Sequence, residues 1–363
     1  MKKLTTVEGC PMNKTNKEYL YKLLRVPSPS GFESEAQKIT REYLRGTCDD
    51  ISSDVNGNLV AFKRGQGDRN IMIVGHADEI GFMVNYIDEN GYVYVKPLGG
   101  FDVNLLPGLR LDIHHQGKIV RGIIGKNAPH MSRGDSDAPK LKMEDIWIDI
   151  GAKDKDDALS KVSIGDTITY SSQIEELGNN NIVSKATDNK VGVYIAAAVM
   201  KALAKTELKA NLFAVASVGE ETTMKGASTS SYKIKPDIAI AVDVTFTSDV
   251  PGADKRKFGD VRLGQGPTLA LGPLVHPGVN AHLQELAKKH KIPLQIEISP
   301  RGTGTDADAI HAQRGGVATA VLSIPNRYMH SPNEIVNLND LDNAVKLLIE
   351  FVKSIDDKFD LLR

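Results

Sequence analysis

Histidine and carboxylate residues recur in this sequence where apolar runs stop. His76 and Asp78 follow the run at 70–75, and Glu220 and Glu221 follow the run at 212–218. Asp243 lies within the run at 238–244, His330 lies shortly after the run at 317–324, and Asp188 directly precedes a stretch rich in Ala, Val and Ile. Imidazole and carboxylate together serve divalent metals such as zinc or cobalt. A carboxylate can bridge two neighbouring cations, whereas a neutral imidazole cannot. One histidine and one terminal carboxylate per ion, with a shared aspartate, would make a balanced two-metal site. Such a site lowers the pKa of bound water from 15.7 to roughly 7. A further carboxylate must then take the water proton and deliver it to a leaving amine. Adjacent glutamates suit this: one can bind metal while its neighbour faces the water.

Each residue also has an ordinary reading. His76 could be a satisfied half-buried histidine. Asp78 could cap the next turn; its chemical role would be to orient His76 through the ring nitrogen not bound to metal. Asp188 could be the N-cap of the helix that follows. Glu220 and Glu221 could be a solvated pair, and His330 a loop histidine. Asp243 is flanked by Ala241, Val242 and Val244, and a carboxylate in that setting requires a partner. The joint arrangement, not any single residue, carries the reading.

The elements that must position these groups alternate. Helical spacing of apolar residues marks 16–24 and 33–44, separated by Pro27-Ser28-Pro29-Ser30-Gly31. Residues 54–62 read as a hairpin around Asn56-Gly57. The run at 70–75 suits a strand buried on both faces. Past Phe82 the pattern changes to short β-rich runs at 86–98, 109–124, 146–150 and 162–170, with one short helix at 153–160. After Ile174 strands and helices alternate again: helices at 190–204, 279–290, 306–313 and 341–358, strands at 212–218, 238–244, 294–298 and 317–324. The expected architecture is α/β: residues 1–80 and 173–363 form a discontinuous mixed-sheet α/β/α domain, into which a small all-β, barrel-like module, 81–172, is inserted. In open α/β sheets ligands bind beyond the carboxyl ends of the strands, which is where the chemical residues fall.

The remaining features narrow the class. The hydrophobic content of 41% supplies a large core, and a net charge of −1 gives no basic footprint for nucleic acid. Two cysteines, Cys10 and Cys48, do not make a disulfide scaffold and read as free thiols. Residues 1–20 lack the apolar core of a signal peptide, and no stretch approaches the ~20 apolar residues of a membrane helix; a cytoplasmic location is expected. There is no P-loop, no nucleophile elbow and no HExxH helix. His114 and His115 read as surface residues of the β module. His130, His276, His282, His290 and His311 are not assigned to metal. The glycine-rich segment at 301–306 reads as a flexible wall of the substrate pocket through Gly304, Thr305 and Asp306, with Thr305 or Asp306 capping the next helix.

The motifs His76-Ala77-Asp78-Glu79-Ile80-Gly81-Phe82, Asp188-Asn189-Lys190-Val191-Gly192, Gly219-Glu220-Glu221, Val242-Asp243 and Arg327-Tyr328-Met329-His330-Ser331-Pro332 together resemble the M42 metallo-aminopeptidase family, which holds the glutamyl and tetrahedral aminopeptidases. The resemblance runs from Ser30-Gly31-Phe32-Glu33 almost to the C-terminus. It implies that His76, Asp188 and Asp243 hold one metal and that Asp188, Glu221 and His330 hold the other. It implies Glu220 as general base and then acid, Asp78 as the residue orienting His76, and the β module as a dimerisation domain. It further implies a homo-oligomer, commonly a tetrahedral dodecamer, acting on short peptides. Two departures stand out: Thr222-Thr223 follows Glu221 where Val-Gly is frequent, and Lys190 stands where Arg is frequent. The expected activity is removal of N-terminal residues from short peptides. A two-metal deacylase acting on N-acyl amino acids and a non-catalytic assembly protein are the alternatives.

Overall fold

In the computed structural model, residues 12–127, 130, 141–171 and 173–362 are described. Two helices open the chain, α1 (Lys14–Arg25) and α2 (Ser34–Leu44), followed by strands β1 (Asp50–Ser53), β2 (Leu59–Lys63) and β3 (Asn70–His76). Next come β4 (Gly81–Ile87), β5 (Val93–Leu98), β6 (Arg110–His115), β7 (Lys118–Gly125), β8 (Trp147–Asp149), the short helix α3 (Lys155–Leu159) and β9 (Thr167–Tyr170). The remainder is β10 (Glu175–Leu177), β11 (Asn181–Ser184), α4 (Thr187–Ala202), β12 (Asn211–Ser217), α5 (Glu220–Thr223), α6 (Lys225–Ile234), β13 (Ile238–Phe246), α7 (Lys255–Phe258), β14 (Thr268–Leu271), α8 (Pro277–His290), β15 (Gln295–Ile298), α9 (Ala307–Ile310), β16 (Ala318–Asn326), β17 (Glu334–Asn337) and α10 (Leu338–Ser354).

Eight strands form one mixed sheet in the order β1-β2-β12-β3-β13-β16-β14-β15. Its centre, β12-β3-β13-β16, is parallel. Parallel strands are buried on both faces, and the side chains divide accordingly. Ile71, Ile73, Ile238 and Ile240 join a core shared with α1, α2, α4, α8 and α10. Met72, Val74, Ala239 and Ala241 face the opposite layer, where Ala227 of α6 and Ala307 and Ile310 of α9 close the core. This is the expected α/β/α arrangement. Strands β4–β9 close into a barrel in the order β4-β5-β8-β7-β6-β9, around a separate core that includes Phe82, Leu111, Ile148 and Ile168. The chain leaves the large sheet at His76 and enters the barrel five residues later. A third sheet, β10-β11-β17, is small.

Several local readings shift. The hairpin at 54–62 is centred correctly, but its first strand precedes Asp54. Asp54 instead organises the turn, its Oδ1 accepting the amides of Asn56 and Asn58. Helix α6 has no counterpart in the sequence reading because it lacks a large-residue stripe. It buries Gly226, Ala227, Ser230 and Ser231, and both serines donate back to carbonyls four residues earlier. Strands β14 and β17 also have no counterpart in the sequence reading. His114 and His115 are half-buried rather than on the surface, bonded to Thr169 and Asp166 within the barrel. Cys48 is a free thiol, whereas Cys10 lies outside the described residues. Among the described residues no helix is long and apolar enough to cross a membrane.

Candidate metal centre

The parallel strands deliver their C-terminal ends to one place. His76 is the last residue of β3, Glu220 follows β12 by three residues, Asp243 lies in β13, and His330 lies just past β16. Asp188 arrives from the start of α4, and the close approach of that helix depends on two glycines. A Cβ on Gly75 would come within 2.4 Å of the Gly192 backbone, and one on Gly192 within 2.5 Å of the Val242 carbonyl oxygen. The helix cap is supplied by Asn189, not Asp188. The Asn189 Oδ1 accepts the Gly192 amide at 3.0 Å, and its Nδ2 donates to the Val242 carbonyl at 2.8 Å. The Asp188 carboxylate is thereby left free for other work.

That carboxylate lies between the two histidines. Its Oδ1 is 3.2 Å from His76 Nε2, and its Oδ2 is 3.3 Å from His330 Nε2. Asp243 Oδ1 is 3.8 Å from His76 Nε2, and Glu221 Oε2 is 3.5 Å from His330 Nε2. Potential ligand atoms of His76, Asp188 and Asp243 all lie within 4.8 Å of one another, as do those of Asp188, Glu221 and His330. A third such group joins His76 to Glu220 and Glu221. Glu220 Oε2 is 3.7 Å from His76 Nε2. None of the other histidines joins such a group among the described residues.

The ordinary readings of these residues do not fit their surroundings. His76 is fully buried, and the glutamate pair is buried rather than solvated, with side-chain exposures of 9% and 5%. Burial pushes Glu220 up to about 8, against the pull of His76 and with help from Asp306 and Asp188. Burial likewise holds Glu221 and Asp243 well above the usual carboxylate range. For Asp188 burial acts upward too, but hydrogen bonds from His330 and His76 outweigh it and lower its pKa. Burial opposes protonation of His76, yet Glu220, Asp188 and Asp78 raise it well above its ordinary value. So many carboxylates packed together lack positive charge. The buried Glu221 Oε1 also has no hydrogen-bond partner. Two divalent cations would answer both deficits, and the imidazole and carboxylate donors suit zinc or cobalt.

The supporting contacts go beyond the sequence reading. Asp78 lies 3.4 Å from His76 Nδ1 and also accepts the backbone amides of Glu220 and Glu221. Glu334 accepts from the Asp188 amide at 2.9 Å, the His330 amide at 3.0 Å and the Thr187 hydroxyl at 2.8 Å. It therefore fixes Asp188 relative to the loop carrying His330. The sequence reading missed it; the available signal was a carboxylate opening a short apolar strand four residues after His330. Arg327 holds the same loop through two hydrogen bonds to Asp249, and His330 itself has a left-handed φ of 60°. Of the two departures, Thr222 is bonded to Ser30 at 2.9 Å, and Lys190 is buried against Glu79 at 2.9 Å.

A cavity of about 950 Å³ opens from this cluster and is lined by Gly304 and Thr305 among others. Within the segment at 301–306, Asp308 accepts the amides of Thr303 and Gly304 and the Thr303 hydroxyl. Asp306 is buried behind the cavity wall and bonded to Ser217 at 2.5 Å. Thr305, not Asp306, accepts the Ala307 amide at the start of α9.

Similar proteins carry the same framework. A solved TET aminopeptidase from a marine sediment archaeon (Thaumarchaeota) superimposes with a TM-score of 0.91 at 30% identity, covering 96% of this chain and 99% of that one. The TET1 peptidase of Pyrococcus horikoshii, described as assembling into a tetrahedron or a large octahedral shell, gives 0.84 at 28% identity, covering 94% and 100%. A lysyl aminopeptidase of Pyrococcus furiosus is 35% identical over 345 residues, covering 93% of this chain and 98% of that one. The profile of the M42 glutamyl aminopeptidases matches residues 57–347. The chain belongs to the M42 glutamyl aminopeptidase family, whose relatives make it a peptide-bond hydrolase.

Proposed function

We propose that this chain is a two-metal aminopeptidase that releases N-terminal residues from short peptides. The observation carrying this reading is the division of the Asp188 carboxylate, one oxygen toward His76 and the other toward His330, with Glu220 alongside. His76, Asp188 and Asp243 would hold one cation, and Asp188, Glu221 and His330 the other. Bound cations, zinc or cobalt, would supply an activated water at neutral pH and polarise the scissile carbonyl. The protein does the rest. Glu220 accepts the water proton and returns it to the departing amine. A residue acting in both directions must take up the proton and give it back, and the buried Glu220 carboxyl stands beside His76 to do so. Asp78 fixes the ring of His76 and the turn bearing Glu220. Gly304 and Thr305 flank the substrate in the cavity, with Asp306 behind them.

The barrel, 81–172, is proposed as the dimerisation module of a homo-oligomer, with a tetrahedral dodecamer as the proposed assembly, in line with the tetrahedron described for the Pyrococcus horikoshii relative. Exposed Ile119 and Ile123 on β7 supply apolar surface for it. A free Cys48 accords with a cytoplasmic location.

The test is hydrolysis of a panel of aminoacyl-anilides and N-acyl amino acids with cobalt, zinc or chelator. Turnover of free-amine substrates that vanishes with chelator is expected. Turnover of N-acylated substrates alone would make the chain a deacylase, and none with any metal would leave an assembly protein.

A further inference from the structure

The cavity extends from the metal ligands to the edge strand β15, where Glu297 lines its wall. A side-chain contact across the sheet brings this residue toward the proposed reaction centre. Asp243 of β13 pairs with Ser323 of β16, and Ser323 pairs with Thr268 of β14. Cross-strand partners share a face, so Asp243, Ser323 and Thr268 form a row across the sheet. The half-buried Glu297 reaches back onto that row. Ser323 Oγ donates to its Oε1 at 3.2 Å, and the side chains of Thr245 and Thr268 lie near enough to favour its charged form. The Glu297 carboxylate therefore meets a side chain of the strand next to that of Asp243.

The polar partners of Glu297 are hydroxyls. Burial raises its pKa, and the three hydroxyls oppose that rise. The cations bordering the cavity are engaged elsewhere: Lys255 with Asp260 at 2.8 Å, Arg256 with Asp254 at 2.9 Å, and Lys257 over the Phe258 ring. A carboxylate withdrawn from water is stabilised by a cation. A peptide whose first residue sits at the metal ligands must send its side chain into the remaining cavity. There Phe246 and Ile298 offer apolar surface against which a long stem can lie while its charged head continues to Glu297.

Building on the aminopeptidase reading, we propose that Glu297 selects peptides whose N-terminal residue is lysine or arginine, by pairing with the side-chain cation at the far wall of the cavity. The experiment compares kcat/KM for lysyl, arginyl, leucyl and glutamyl anilides with the metal-loaded protein and its Glu297→Gln and Glu297→Lys variants. The wild type should favour lysyl and arginyl over leucyl and glutamyl anilides by about tenfold or more. Glu297→Gln should lower the two basic substrates about 10- to 100-fold, the range for a lost hydrogen bond to a charged group, and leave leucyl anilide within about twofold. Glu297→Lys should lower them further and raise glutamyl anilide. The leucyl rate and the metal content report whether each variant folds, and the wild-type ranking needs no variant. A wild type that prefers leucyl or glutamyl anilide, or a Glu297→Gln variant that loses all four equally, overturns this inference alone. Hydrolysis of none of the four overturns the aminopeptidase reading and this inference with it.

Discussion

The Asp78 carboxylate accepts the backbone N–H of Glu220 at 3.0 Å. Its other oxygen accepts the next amide, that of Glu221, at 3.1 Å, and the group also lies beside His76 Nδ1. One side chain thus anchors the turn of Glu220 and Glu221 and stands beside His76, whose Nδ1 also meets the Asp78 carbonyl oxygen at 3.2 Å; these are the proposed base and two proposed ligands. Asp78→Ala should weaken metal binding about 10- to 100-fold, as loss of a group orienting a ligand does. It should also lower kcat when metal is saturating, because the turn at Glu220 loses its anchor. Metal titration followed by kinetics at saturation separates the two effects. Full kcat at saturation would restrict Asp78 to the histidine.

Glu220→Gln keeps the shape of the side chain and removes its ability to take a proton. Turnover should fall by at least about a hundredfold, the lower range for a lost acid–base group, with metal content near wild type by elemental analysis. Retained activity would remove Glu220 from its role. Metal loss instead would move it among the ligands, as its place near His76 and Glu221 permits.

Much of this site was legible because buried parallel strands have a simple signature. The run at 70–75 is apolar on both faces, so a histidine immediately after it had to lie at the strand's carboxyl end. The same logic located Glu220, Glu221 and His330. What could not be read was the tertiary support. Nothing local distinguishes Asn189 as the cap from Asp188, since either side chain can serve; the choice follows from the Val242 carbonyl that only the amide can reach as a donor. Glu334 gains its meaning from amides that the fold brings to it. Glu297 reads as one polar residue in a short alternating strand until the fold brings its side chain to the Ser323 hydroxyl.

Asp188→Ala removes the group common to both proposed cation sites. Elemental analysis should find both metals depleted, whereas Asp243→Ala should deplete one more than the other. Full occupancy of two metals in Asp188→Ala would count against a bridging role.

Glu79 is buried with Lys185 and Lys190, at 2.5 and 2.9 Å. Burial acts to raise its pKa, but the two lysines pull it down to about 2. The network ties the segment after His76 to α4, and Glu79 also accepts the Ser28 amide. Glu79→Ala would leave two buried lysines without their counter-charge. Loss of one partner from such a pair costs ~3–5 kcal/mol, to be read from urea denaturation. A change under ~1 kcal/mol would mean that water or rearrangement satisfies the lysines.

The chelated protein should lose stability as pH rises from about 5 to about 8. Burial pushes Glu220 and Glu334 up to about 8 and Asp306 up to about 6. A carboxyl raised in the folded state binds its proton more tightly there than in the unfolded chain. Its contribution is complete below the unfolded value and disappears as pH climbs through the folded one. The raised His76 has the same sign. Lys190, lowered to about 8 by burial, acts oppositely, but its window lies above about 8. The lowered carboxyls of Asp78 and Asp188 act below the normal carboxylate range, outside the window. Cations compete with protons for the cluster, so zinc or cobalt should reverse the slope. Urea midpoints at several pH values, with chelator and with metal, provide the comparison. A chelated protein that grows more stable across this range would show that the cluster does not hold its protons in the folded state.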